Sequence, residues 1–132
     1  MYSHIIDNIY VGDIFSTVDG YILNNIKCIV SLIDNVKQYP NIDYLSIPID
    51  DKPDVNIIPV CEQVYDYLVQ NKGKPILIHC YAGGSRSVAT VIYYIMKKYN
   101  KSYEEARAIL CDKHKNQNMN KGFVAQLNET YG

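Results

Sequence analysis

The 132-residue sequence predicts an α/β fold, a central, mostly parallel twisted sheet flanked by helices. Three observations carry that expectation. Short β-branched apolar runs at Lys27–Ile33 and Ile76–His79 suit strands buried on both faces. Apolar residues recur at helical spacing through Val60, Val64, Tyr67 and Leu68. The two patterns alternate along the chain, as they do where helices cross between parallel strands.

The elements follow in order. Ile9-Tyr10-Val11-Gly12 is a short strand, and residues 16–25 are predicted as a helix capped by Ser16 or Thr17. Lys27–Ile33 is a strand, as is Asp43–Ile49, which Pro48 and the acidic residues close. Residues 50–56 form a loop, 57–70 a helix, and Gly73 ends that helix. Ile76–His79 is a buried strand. A Gly-containing turn then leads into an apolar helix over 86–99, the expected centre of the domain. Ser102-Tyr103-Glu104-Glu105 has the capping-box pattern and starts a further helix. A last helix spans Lys121–Tyr131. With no repeat or linker, one domain is expected over 1–132.

Composition excludes several functions. The net charge of −1 gives no global attraction for nucleic acid or membrane. No segment approaches the ~20 apolar residues of a membrane span, and no signal peptide is evident. The four cysteines, Cys28, Cys61, Cys80 and Cys111, lack metal-ligand spacing. No metal or other cofactor is expected, and free thiols in a reducing cytoplasm are.

The chemistry concentrates in His79-Cys80-Tyr81-Ala82-Gly83-Gly84-Ser85-Arg86-Ser87. This segment joins a buried strand to a helix N-terminus. Its length allows the loop to curl so that backbone N–H groups converge on an anion, with the helix dipole behind them. Gly83 and Gly84 permit the required backbone. Arg86 starts the helix, where the dipole disfavours a cation. It is one of only two arginines in a chain whose other basic residues are lysines, and its planar fork grips two phosphate oxygens at once. A thiol in the same field ionises readily, which makes Cys80 the expected nucleophile toward phosphorus.

The segment resembles the HCxxGxxR[ST] signature of protein tyrosine phosphatases, in the HCxAGxSRS form of the compact dual-specificity phosphatases. The likeness extends to Ile9–Asp13, to Tyr94-Ile95-Met96, and to Asn120-Lys121-Gly122-Phe123 with Gln126-Leu127, where Met119 replaces the family's Pro. The resemblance implies hydrolysis of phosphotyrosine and phosphoserine or phosphothreonine in proteins through a phosphocysteine. Residues Tyr81 to Arg86 would bind phosphate, and Ser87 would stabilise the leaving thiolate. A general acid is expected in the loop about thirty residues earlier. Aligning Ile47-Pro48-Ile49 with the family's strand end makes it Asp51, with Asp50 as competitor. His79 would orient the loop. Asn120 would brace it or cap the last helix, or do both. Cys28, Cys61 and Cys111 are expected in the core.

Four readings stay open beside this one: a phosphate-binding module without turnover, action on RNA 5′-phosphates, action on phosphoinositides, and a Gly84 that loosens the loop. The expected partners are phosphorylated proteins, with no nucleic acid and no membrane, and the expected state is a monomer or weak dimer. Ile, Asn, Tyr and Lys are abundant. A bias of that kind resembles an AT-rich genome, and the expected place of action is the cytoplasm, that of a host if the bias is viral or parasitic.

Overall fold

The computed structural model describes residues 1–131. The strands are β1 (Tyr2–Ile6), β2 (Ile9–Gly12), β3 (Cys28–Ser31), β4 (Asp43–Ser46) and β5 (Ile76–His79). The helices are α1 (Gly20–Asn25), α2 (Ile58–Gln70), α3 (Arg86–Tyr99), α4 (Tyr103–Lys113) and α5 (Lys121–Tyr131). A 3-10 helix spans Ile14–Val18. The sheet order is β1-β2-β5-β3-β4. Only β1 and β2 are antiparallel; every other neighbouring pair is parallel. The α/β expectation holds.

β5 is the central strand, and all four of its residues are buried. Alternation divides them between two cores. Ile76 and Ile78 join the large core with Val30, Val64, Ile92 and Phe123. Leu77 faces the smaller one with Ile22, Ile26 and Ile29. α3 is buried from Ser87 to Met96 and packs against the sheet and against α2, α4 and α5. Its last turn carries Lys97 and Lys98, and left-handed Asn100 ends it.

Three local expectations change. The helix expected over 16–25 is two helices broken at Asp19, and neither Ser16 nor Thr17 is a cap. Asp13 caps the 3-10 helix through Ser16 N–H, and extended Asp19 caps α1 through the N–H groups of Tyr21 and Ile22. An ionised carboxylate is the stronger acceptor at a helix start. The strand expected over 43–49 stops at Ser46. β1 is an added strand with no clear sequence signature, because Tyr2-Ser3-His4-Ile5-Ile6 has no clean alternation and its register slips between His4 and Ile6. Its turn uses Asp7 at φ 53°, a conformation Asp tolerates better than most residues. Burial works against the Asp7 charge, but hydrogen bonds from Tyr99, Tyr94 and Lys98 hold its carboxyl below the usual range.

The parallel register sets Gly12, His79 and Ser31 level on adjacent strands. The segments that follow them therefore emerge together at the carboxyl edge of the sheet, where open α/β sheets place their sites.

Candidate active site

His79 and Cys80 leave the middle of that edge. His79 is fully buried. Its Nδ1 lies 3.2 Å from the Cys80 carbonyl, which can only accept, so Nδ1 donates. Nε2 then accepts from Ser31 Oγ at 2.7 Å. The ring is neutral, and burial pushes its pKa down against the pull of the Cys80 carbonyl and Asp13. The linkage has a definite sign. The folded pKa lies below the unfolded value of about 6.5, so stability is complete above that value. It falls with pH until the folded ring also protonates. The urea midpoint is expected to drop between pH 7.5 and 5, and His79→Gln should flatten that slope. An equal drop in the variant would remove His79 as the cause.

Cys80 is 2% exposed. Its Sγ lies 3.2 Å from Ser87 Oγ, on the first turn of α3. Between them the loop carbonyls are tied away from its centre. Ile14 N–H donates to Tyr81 O at 2.9 Å. Asn116 Nδ2 donates to Ala82 O at 3.1 Å. His114 Nε2 donates to Gly83 O at 2.7 Å. Asn118 N–H donates to Gly84 O at 2.7 Å, and Ala89 N–H to Ser85 O at 2.9 Å. Among the described residues the N–H groups of 81–86 have no such acceptor. Carbonyls held outward and N–H groups left unengaged make a nest for an anion.

Gly83 sits at φ 75°, and a Cβ there would lie 2.9 Å from the backbone carbon and oxygen of Gly12. Gly83→Ala is expected to cost about 1–3 kcal/mol and to lower turnover with stability, read by urea unfolding and by assay. Unchanged values for both would mean the loop tolerates a different path. Gly84 is different, since a Cβ there would find ordinary contacts, 3.5 Å from Asn118 N and 3.6 Å from Asn116 O.

Arg86 is half-buried. Its Nη1 donates to Ile49 O at 3.0 Å. Its buried Nε has no partner, an arrangement costly unless an acceptor arrives. Asp51 reaches the loop from the 50–56 segment. Its Oδ1 accepts from Ser85 Oγ at 2.6 Å and from Asn120 Nδ2 at 2.7 Å. Asp50 makes no such contact among the described residues. Asn120 also donates its N–H to Ser85 Oγ at 3.0 Å and accepts from Phe123 N–H at 2.9 Å. It therefore caps α5 and touches the loop at once. Gly122 lets α5 approach, because a Cβ there would collide with the Pro53 carbonyl and lie 2.5 Å from the Pro53 Cα.

The segment from His114 to Asn118 carries no functional signature in the sequence, yet it reaches the loop. His114 is buried and bridges two elements, accepting from Ser3 Oγ at 2.9 Å while it donates to Gly83. Its only signal was a polar run between two helices. Cys28 and Cys61 are buried and Cys111 is half-buried, all as free thiols. Burial pushes the Cys61 thiol up.

Comparison with known proteins places the chain in a family. Residues 10–132 match the family model described as dual specificity phosphatase, catalytic domain. Protein AMV078 of Amsacta moorei entomopoxvirus, which carries a tyrosine-protein phosphatase name, is 37% identical over 95% of this chain and 83% of its own length. Human dual specificity protein phosphatase 6 is 33% identical over 81% of this chain, a match spanning 28% of its own length. The crystal structure of human tyrosine phosphatase-like serine/threonine/tyrosine-interacting protein superposes with a TM-score of 0.88. It is 28% identical and covers 97% of this chain and 93% of that one.

Proposed function

This chain belongs to the dual specificity phosphatase catalytic-domain family, and from that membership we propose that it hydrolyses phosphate monoesters of proteins, on tyrosine and on serine or threonine, through a phosphocysteine at Cys80. The observation that carries the reading is the nest around residues 81–86, with Cys80 at its floor and the unpartnered Arg86 Nε beside it.

The reaction has two steps. The Cys80 thiolate attacks phosphorus, forming the S–P bond as the P–O bond to the substrate breaks. Asp51 gives its proton to the leaving oxygen. Both donors to Asp51 take Oδ1, which leaves Oδ2 to carry that proton. Water then attacks the phosphocysteine and gives a proton back to Asp51, and phosphate leaves. The departing thiolate accepts a hydrogen bond from Ser87 Oγ. Arg86 and the loop N–H groups hold the equatorial oxygens throughout, which is positioning with electrostatic stabilisation. His79 keeps the Cys80 carbonyl in place, and Asn120 holds Asp51 and Ser85 together.

The substrates in this reading are phosphorylated proteins of the cytoplasm, residues 1–132 act as one catalytic domain, and the protein works as a monomer or weak dimer. No helix among the described residues is long and apolar enough to cross a membrane.

The test is metal-free hydrolysis against pH, with p-nitrophenyl phosphate and with a phosphothreonine peptide. Asp51→Asn is expected to lose about 10²–10⁴-fold on the peptide, whose alkoxide needs a proton. It should lose less on nitrophenolate, a far better leaving group. Asp50→Asn should stay near wild type. Equal losses on both substrates would remove Asp51 as the acid. An inactive wild type that still binds phosphopeptide would make the chain a binding module.

A further inference from the structure

Three of the most exposed apolar side chains lie on or next to the phosphate loop. Phe15 is 71% exposed, Tyr81 60% and Val18 56%. They belong to two segments joined at the backbone, because the N–H of Ile14 donates to the Tyr81 carbonyl. Phe15 thus follows the residue bonded to the phosphate loop, and Val18 ends the same 3-10 helix. Exposed Tyr21, stacked on Tyr2 with ring centroids 6.3 Å apart, follows three residues beyond Val18, on α1. Single exposed hydrophobes need no explanation, but a run of them beside a site marks an interaction surface.

The two flanks of the loop differ in chemistry. Asn116, Asn118 and Asn120 bind it from one side. The segment carrying Phe15 and Val18 meets it at Tyr81 instead. Its carboxylates are already occupied, Asp13 by the N–H and Oγ of Ser16 and Asp19 by the N–H groups of Tyr21 and Ile22. This flank therefore offers apolar surface beside carboxylates that are already engaged, Asp13 also by the Met1 ammonium at 2.9 Å.

We propose that Phe15, Val18 and Tyr81 form a specificity wall that selects phosphoprotein segments bearing a large apolar side chain beside the phosphorylated residue. The proposal rests on the phosphatase reading above. The wall is continuous with the phosphate loop, so a chain whose phosphate occupies the loop is the partner that meets it. An extended peptide advances about 3.5 Å per residue, which brings side chains one or two positions from the phosphoresidue within reach. Burying such a side chain against the wall corresponds to about a tenfold preference.

The experiment uses two phosphotyrosine peptides that differ only in having Leu or Ser on both sides of the phosphotyrosine. Wild type should show a kcat/KM about tenfold higher for the Leu peptide. In Phe15→Ser with Val18→Ser the ratio should fall below about twofold, and Phe15→Leu should retain it. Fluorescence anisotropy of the same peptides on Cys80→Ser repeats the comparison without turnover. A binding preference with no hydrolysis by wild type would retire the phosphatase reading and keep the wall. Hydrolysis of both peptides at equal kcat/KM would retire the wall and keep the phosphatase. A wild-type dimer in sedimentation that Phe15→Ser dissociates would assign the face to a second copy and overturn the proposal.

Discussion

Cys80→Ser is expected to abolish turnover of p-nitrophenyl phosphate and phosphopeptides, by about 10⁴-fold or more, while phosphopeptide binding persists. The two effects separate because the residues responsible are different. The exchange replaces only the buried Sγ beside Ser87 Oγ, and a hydroxyl ionises far less readily than a thiol. The N–H groups of 81–86 and the Arg86 guanidinium are untouched. Serine has nearly the same shape, so unfolding midpoints should move little. Residual turnover within tenfold of wild type would mean that Cys80 is not the nucleophile. Loss of both binding and stability would mean that the thiol holds the loop together instead.

Arg86→Lys is expected to lower kcat/KM by about 10²–10³-fold and to weaken inhibition by inorganic phosphate. Arg86 performs two tasks with one rigid group. Nη1 is fixed on Ile49 O, which anchors the guanidinium to the end of the 43–49 segment. Nε remains buried and unpartnered, available to a phosphate oxygen. A lysine ammonium is a point charge on a flexible stem. It cannot hold Ile49 and grip two oxygens in one plane. Retention of activity within fivefold would mean that positive charge alone is enough and that the planar fork is not used.

Much of this protein was legible in its sequence. β3, β5, α2, α3 and the capping box of α4 are local features. Each is written in periodicity, β-branching or a cap within about fifteen residues. The loop from His79 to Ser87 was equally legible, since its residue types are set by what an anion requires. Where competing local signals are close, the sequence alone does not choose between them. Ser16, Thr17, Asp13 and Asp19 are all acceptable caps. Beyond the break at Asp19, Ile22 of α1 and Ile26 just after it pack with Ile29 and Leu77.

Tertiary structure alone decided the rest, because it depends on contacts between residues distant in the chain. Register brought Ser31 to His79, 48 positions apart. Apart from the family alignment, nothing in the chain distinguishes Asp51 from Asp50; in the fold it is Asp51 whose Oδ1 meets Ser85 and Asn120, 34 and 69 positions away. Asn120 has a capping role visible in local sequence and a loop contact that only the family resemblance implied; the fold joins the two through Ser85 and Phe123. His114 is a polar residue at a helix end until the fold buries it between Ser3 and Gly83. The sequence determined which chemistry the loop carries, because that chemistry is specified by residue type over nine consecutive positions. The fold decided which side chains surround the loop, because parallel crossovers bring together segments that no local pattern relates.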